Sequence, residues 1–174
     1  MKTKRPILLI VLVCFLSFGV FAQEKTKKEL KAEKDLQQQK EIETLIDSKK
    51  FDFEAQKANP QGGRLIFLDY NTYFLKFNTE KTTCDLPFFG RGFNVPYGGD
   101  GGIKFEGTPE NIKIEKNKKN YIIRATVRGK DDSYDLMLSV FFNGGATLSV
   151  NSNNRGPISY DGEIRAPKTE KSIK

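Results

Sequence analysis

From Phe51 onward, apolar side chains recur at every second position. Phe51, Phe53 and Ala55 alternate with Asp52, Glu54 and Gln56. Pro60-Gln-Gly-Gly63 breaks the pattern, and Leu65 to Leu68 is a short apolar strand candidate. Tyr73, Leu75 and Phe77 alternate again, and Lys81 to Leu86 returns antiparallel after a turn at Thr79-Glu80. A period of two places successive side chains on opposite faces, as a half-buried strand requires. The second half repeats this more cleanly. Tyr121, Ile123, Ala125 and Val127 face one way, and Arg124, Thr126 and Arg128 the other. After Gly129-Lys-Asp-Asp132, the row Tyr134, Leu136, Leu138 and Val140 follows. After Asn143-Gly-Gly145 come Ala146, Leu148 and Val150, then a longer turn over Asn151 to Pro157, and last Ile158, Tyr160 and Ile164. Consecutive single-faced hairpins predict an antiparallel sheet with one buried face.

The flanks read differently. Glu24 to about Lys50 is rich in Lys, Glu and Gln and contains no Gly or Pro. Its apolar residues are sparse at Leu30 and Leu36 and gather at Ile42, Leu45 and Ile46. The spacing predicts a helix with a solvated first half whose last turns dock on the body. Pro87 to Gly107 reads as a long loop dense in glycine and aromatic residues, with a short strand at Arg91 to Val95. Ala166 to Lys174 is a loose polar tail. The expected fold class is α+β: a charged N-terminal helix over residues 23–50, then a curved, mostly antiparallel β-sheet over residues 51–165. That sheet has about seven to ten strands and closes into a barrel-like or sandwich shape.

Residues 1–22 carry an address. Lys2, Lys4 and Arg5 precede the apolar run Ile7 to Phe21, and Val20 and Ala22 suit a cleavage before Gln23. The run falls short of the ~20 apolar residues that span a bilayer. The expectation is an exported protein, periplasmic or associated with the outer envelope, with no transmembrane span in the mature form. Loss of the leader lowers the net charge from +7 to +4, too mild for a nucleic-acid partner. It also removes Cys14 and leaves Cys84 alone. No internal disulfide then forms, and Cys84 is read as a small buried hydrophobe or, alternatively, as one half of a bridge between chains.

The chain contains no histidine. That excludes Ser-His-Asp and Cys-His catalysis and the usual zinc sites, so no metal, cofactor or catalytic residue is assigned. Asp131, Asp132 and Asp135 follow turn chemistry and lack EF-hand spacing. A glycan hydrolase would need two carboxyl groups about 5–10 Å apart across a cleft, for which Glu106, Asp161 and Glu163 are the candidates. The aromatic loop offers more. Phe88, Phe89, Phe93 and Tyr97 beside Arg91 are suited to recognising an envelope protein, a glycan or a lipid, or else they fold inward and cap the sheet. Arg155, in Asn153-Asn-Arg-Gly-Pro157, is suited by its planar fork to hold turn carbonyls or a carboxylate, or to meet a ligand.

Several separated motifs occur in a fixed order. They are Leu86-Pro-Phe-Phe-Gly-Arg-Gly-Phe93, Pro96-Tyr97-Gly98, Ile103-Lys-Phe105 and Val150-Asn-Ser-Asn-Asn-Arg-Gly-Pro-Ile-Ser-Tyr-Asp-Gly162. With them, residues Phe51 to Ile164 resemble the bacterial exported family called domain of unknown function 4251. The resemblance implies a signal, a leading helix and a β-rich body, and it implies no activity. The leading expectation is a non-catalytic binding or structural module that uses the loop 86–102. The alternative is an exported, carboxylate-dependent glycan hydrolase.

Overall fold

The structure is a computed structural model that describes residues 27–93 and 101–168. The leader, Tyr97 and the far end of the tail lie outside the described residues, as do Asn94 and Val95 of the short strand expected at Arg91 to Val95.

Helix α1 spans Lys27–Ser48. The chain divides into two units between Lys34 and Asp35. In the first unit, the described residues Lys27–Lys34 are exposed on every side, as their charge predicts. In the second unit, the later turns of α1 bury Ile42 and Ile46 and half-bury Leu45. Polar contacts fix that docking. The Gln38 side-chain amide donates to the Asn143 carbonyl at 2.8 Å, and Lys116 pairs with Glu43. The helix stops where Lys49 turns left-handed at φ 53° and its N–H donates to the Ile46 carbonyl.

Ten antiparallel strands follow among the described residues. They are β1 (Lys50–Pro60), β2 (Ile66–Phe67), β3 (Phe74–Asn78), β4 (Thr82–Leu86), β5 (Ile103–Gly107), β6 (Pro109–Lys116), β7 (Asn120–Arg128), β8 (Ser133–Phe141), β9 (Gly145–Ser152) and β10 (Ile158–Arg165). They pair in the order β5-β4-β3-β1-β10-β9-β8-β7-β6, with β2 on β1 beyond the end of β3. This order dictates the shape. Only Thr108 separates β5 from β6, yet those strands stand at opposite edges of the sheet. The sheet must therefore curl until its edges meet, giving a nearly closed barrel. Across the seam, the Phe105 and Tyr134 rings stack at 4.4 Å.

The barrel interior is filled by side chains. Phe51, Phe53, Leu75, Leu148, Val150 and Tyr160 are all essentially inaccessible and belong to one core cluster. The inward rows on β7, β8, β9 and β10 are the expected ones. On β1 the register shifts between Ala55 and Lys57. This bulge re-phases the strand, so that Ala58 points inward after Ala55.

One strand corrects the expected loop, and another lies where none was expected. Pro87–Gly107 is not all loop: Ile103 to Gly107 forms β5, with Ile103 and Phe105 buried. The alternation was legible there but short and surrounded by glycine. Strand β6 had no expectation at all. As an edge strand with a register shift between Glu110 and Lys113, it half-buries only Ile112 and Ile114 between exposed charges.

Candidate functional site

One end of the barrel gathers the turn 60–63, the segment 87–93 and the turn 153–157. The segment 87–93 leaves β4 and is fastened by backbone. The Phe93 N–H donates to the Asn154 carbonyl at 2.8 Å, and the Gly156 N–H to the Arg91 carbonyl at 2.9 Å. Gly92 and Arg155 thus form an isolated antiparallel bridge. Of the strand expected over Arg91 to Val95, this bridge is the part within the described residues. Further back, the buried Tyr160 hydroxyl donates to the Pro87 carbonyl at 2.8 Å.

Arg155 ties these pieces together. Its side chain is 12% exposed. One guanidinium nitrogen donates to the Gly102 carbonyl at 3.0 Å, and the other lies 3.7 Å from the Asp132 carboxylate. The Phe88 ring covers the guanidinium carbon at 5.8 Å. Its Nε is buried and finds no hydrogen-bond partner among the described residues. Asp132 is held in turn by the Ser133 and Asn153 N–H groups and by the Ser152 hydroxyl. Arg155 therefore does both things its fork suits it for, taking a turn carbonyl and a carboxylate. Nearby, burial pushes the Tyr134 hydroxyl above its ordinary pKa, against the pull of the Arg155 charge.

The aromatic residues divide. Phe88 turns in and packs against the core. Phe89 and Phe93 turn out, at 43% and 71% exposure, with Arg91 exposed between them. Together with Pro60–Gly63, Gly156 and Pro157, they line an open groove of about 540 Å³. Four of the sequence candidates (Phe88, Phe89, Arg91 and Phe93) thus lie around one end of the barrel with Arg155, and three of them face the groove. Sequence reasoning missed the opposite wall. Pro60-Gln-Gly-Gly63 and Gly156-Pro157 read only as chain breakers, because nothing local says which turns meet. The role of Tyr160 as an anchor for Pro87 was likewise invisible, since its alternation reads as core.

Glu106 does not converge with the other two carboxylates, while Asp161 and Glu163 neighbour each other on the outer face of β10, each engaged by amide or hydroxyl groups. Glu106 lies on β5 and pairs with Lys81 at 2.7 Å. Asp161 and Glu163 lie on β10, three intervening strands away, or roughly 19 Å at the usual strand spacing. Asp161 accepts from Asn59 and Thr147, and Glu163 accepts from Gln56. Among the described residues no three His, Cys, Asp or Glu side chains cluster as metal ligands, and no helix is long and apolar enough to cross a membrane. Cys84 is buried, and desolvation raises its thiol well above the ordinary range. It packs as a small residue of the core.

Comparison with known proteins agrees with this architecture. A crystal structure of a DUF4251 family protein from Bacteroides eggerthii DSM 20697 is similar at a TM-score of 0.59 and 23% identity, covering 74% of this chain and 87% of that one. At that identity the likeness concerns the fold. No curated protein matches the chain. The family model for the domain of unknown function DUF4251 matches residues 33–164, from the second turn of α1 to the end of the barrel, and the chain belongs to that family.

Proposed function

We propose that the protein is an exported, non-catalytic binding module of the bacterial envelope, and that it takes its partner in the groove between the segment 89–93 and the turn 60–63. One observation carries this reading. In a small core without a disulfide, large apolar side chains are needed inside, yet Phe89 and Phe93 stand outside with Arg91 between them. Aromatic residues beside arginine in a concavity are the usual anchors of recognition. The backbone bonds to the turn 153–157 and the Arg155 anchor support it, because a pre-ordered surface loses less entropy on binding.

The test has two parts. Mass spectrometry of the exported form should find a mature chain beginning at Gln23; retention of Met1 would remove the export premise. Wild-type protein and the variant Arg91→Ala/Phe89→Ser/Phe93→Ser are then used as bait in a detergent extract of the envelope. The expected result is a molecule retained by the wild type and lost with the variant, at unchanged melting temperature. Identical retention by both would sink the reading.

A further inference from the structure

A second surface stands apart from that groove. Among the described residues, strand β2 pairs only with β1, and beyond it lies no strand of the ordered path. Its register is Phe67 opposite Lys57 and Ile66 opposite Ala58, and the Leu68 N–H donates to the Gln56 carbonyl. In an antiparallel ladder, bonded and non-bonded pairs alternate. Leu68 and Ile66 therefore occupy bonded positions, and Phe67 occupies the position between them. Its N–H and C=O point away from β1, to the open side.

The side chains there alternate as well. Ile66 and Leu68 pack on the core, while Leu65 and Phe67 face outward. Phe67 is 75% exposed, and Tyr70 beyond it 72%. Large apolar groups on an open strand edge are what monomeric proteins avoid. The other long edge, β6, is guarded by a bulge with Asn111 at φ 53° and by Lys113, Glu115 and Lys116. The edge of β2 is protected by its shortness and by the flanking charges Arg64 and Asp69, and the Lys57 Nζ 5.6 Å from the Phe67 ring centroid leaves most of that ring exposed.

We infer that β2 pairs with β2 of a second copy of this chain, antiparallel about a two-fold axis at Phe67. An isologous contact requires a patch that complements itself. Here one residue offers one free donor and one free acceptor, so the two copies of Phe67 satisfy each other. Charge favours the same arrangement. Arg64 lies three residues before Phe67 and Asp69 two after. Beyond the two residues of β2, antiparallel apposition would bring Arg64 of one copy to the end where Asp69 of the other lies, on the diagonal, whereas parallel apposition would bring Arg64 towards Arg64. The strip is short and smaller than a standard interface, which makes the dimer a weak one, with Kd on the order of 100 µM.

Sedimentation velocity on the mature chain, from about 1 to 500 µM, tests this within the range where such an equilibrium is visible. The wild type should shift from monomer to dimer with concentration. Because Phe67 meets itself at the axis, Phe67→Glu and Phe67→Lys should each be monomeric at all concentrations. An equal mixture of the two should recover the dimer, since opposite charges then face each other. Circular dichroism melts of both variants should match the wild type, as expected for a side chain this exposed. A wild type that stays monomeric throughout, a dimer that survives both substitutions, or a mixture that does not re-associate would each overturn the inference. None of these outcomes bears on the Phe89 and Phe93 groove, which β2 does not line.

Discussion

The guanidinium of Arg155 reaches across from the turn after β9 to donate to the carbonyl of Gly102, 53 residues earlier, at 3.0 Å. Gly102 immediately precedes β5, and Phe88, whose ring covers the same guanidinium, lies just after β4. One side chain thus touches both ends of the segment that joins those strands. The arginine is nearly enclosed and so is Asp132, whose side chain is 3% exposed. Arg155→Ala would leave that carboxylate with its turn N–H donors and the Ser152 hydroxyl, and without the Arg155 counter-charge. We expect a loss of about 2–4 kcal/mol, somewhat below the ~3–5 kcal/mol scale for removing one partner of a buried pair because the two groups lie 3.7 Å apart. Arg155→Lys should recover only part, because an ammonium lacks the second arm of the fork. Urea denaturation of the three proteins measures this, and equal stability of wild type and Arg155→Ala would refute the latch.

The inward and outward aromatic residues should separate cleanly by stability. Phe88 packs on the core and on Arg155, so Phe88→Ala should cost about 2–3 kcal/mol, below the usual range for a fully buried ring. Phe89→Ala and Phe93→Ala remove mostly hydrated surface and should stay within about 0.5 kcal/mol of the wild type. Thermal melts of the three single variants decide it. A large loss at Phe93 would mean that its ring is structural and would weaken the groove as a recognition surface.

This division also marks where sequence stops being legible. The strands with unbroken alternation, β7 to β10, were readable because a period of two on a one-sided sheet leaves a single phase that buries every apolar residue. The same logic set the docking face of α1 at Ile42, Leu45 and Ile46. It failed at β6, where an edge strand buries little and its charges hide the period. It failed too for the groove. Arg155 was identifiable as an anchor from its setting among turn formers, but its partners Gly102 and Asp132 are 53 and 23 residues away in sequence. Which loops meet at one end of a barrel is fixed by strand order, and strand order is a long-range property.

A close backbone approach at the β1 bulge yields a sharper expectation. Gly162 faces Ala55, where the register shifts. A Cβ built on Gly162 would sit 1.9 Å from the Glu54 carbonyl oxygen and 2.9 Å from its carbon. These are backbone atoms, which cannot swing aside as a side-chain tip would. Gly162→Ala should therefore destabilise by about 3 kcal/mol or more, at or above the upper end for overpacking. Chemical denaturation reads it directly, and a loss under about 1 kcal/mol would mean that the bulge relaxes freely.

Glu54 itself is a carboxylate on the outward side of β1 that is nonetheless 5% exposed. The turn before β3 covers it. The Asn71 N–H donates to one oxygen at 2.8 Å, and Arg165 to the other at 2.9 Å. Asn71 is left-handed at φ 57°, a conformation asparagine tolerates better than most residues. Glu54→Ala should release this turn and cost about 2 kcal/mol, the scale for losing hydrogen bonds to a charged group, here those from the Asn71 N–H and Arg165. Hydrogen exchange at Asn71 should accelerate in the variant while exchange in β8 is unchanged. Unchanged protection at Asn71 would show that the turn is held by something other than Glu54.

The last expectation concerns alkaline pH. Burial raises the Cys84 thiol well above its ordinary 9.0, and the Tyr134 and Tyr160 hydroxyls above their ordinary 10.0. All three are neutral when protonated, so the fold prefers the proton-bound form. Below pH 9 both folded and unfolded chains hold these protons, and the groups leave stability independent of pH. Above it the unfolded chain releases them first and binds fewer protons than the folded one, so stability falls as pH rises. The decline should begin near pH 9 with Cys84 and steepen near pH 10 as the tyrosines join. Cys84→Val keeps the small apolar volume and removes the first titration, so its stability should stay flat about one pH unit further. Equilibrium denaturation from pH 7 to 11 for both proteins tests this. A wild type whose stability rises between pH 9 and 10, or a Cys84→Val profile that falls as early as the wild type, would contradict the burial of these groups as the cause.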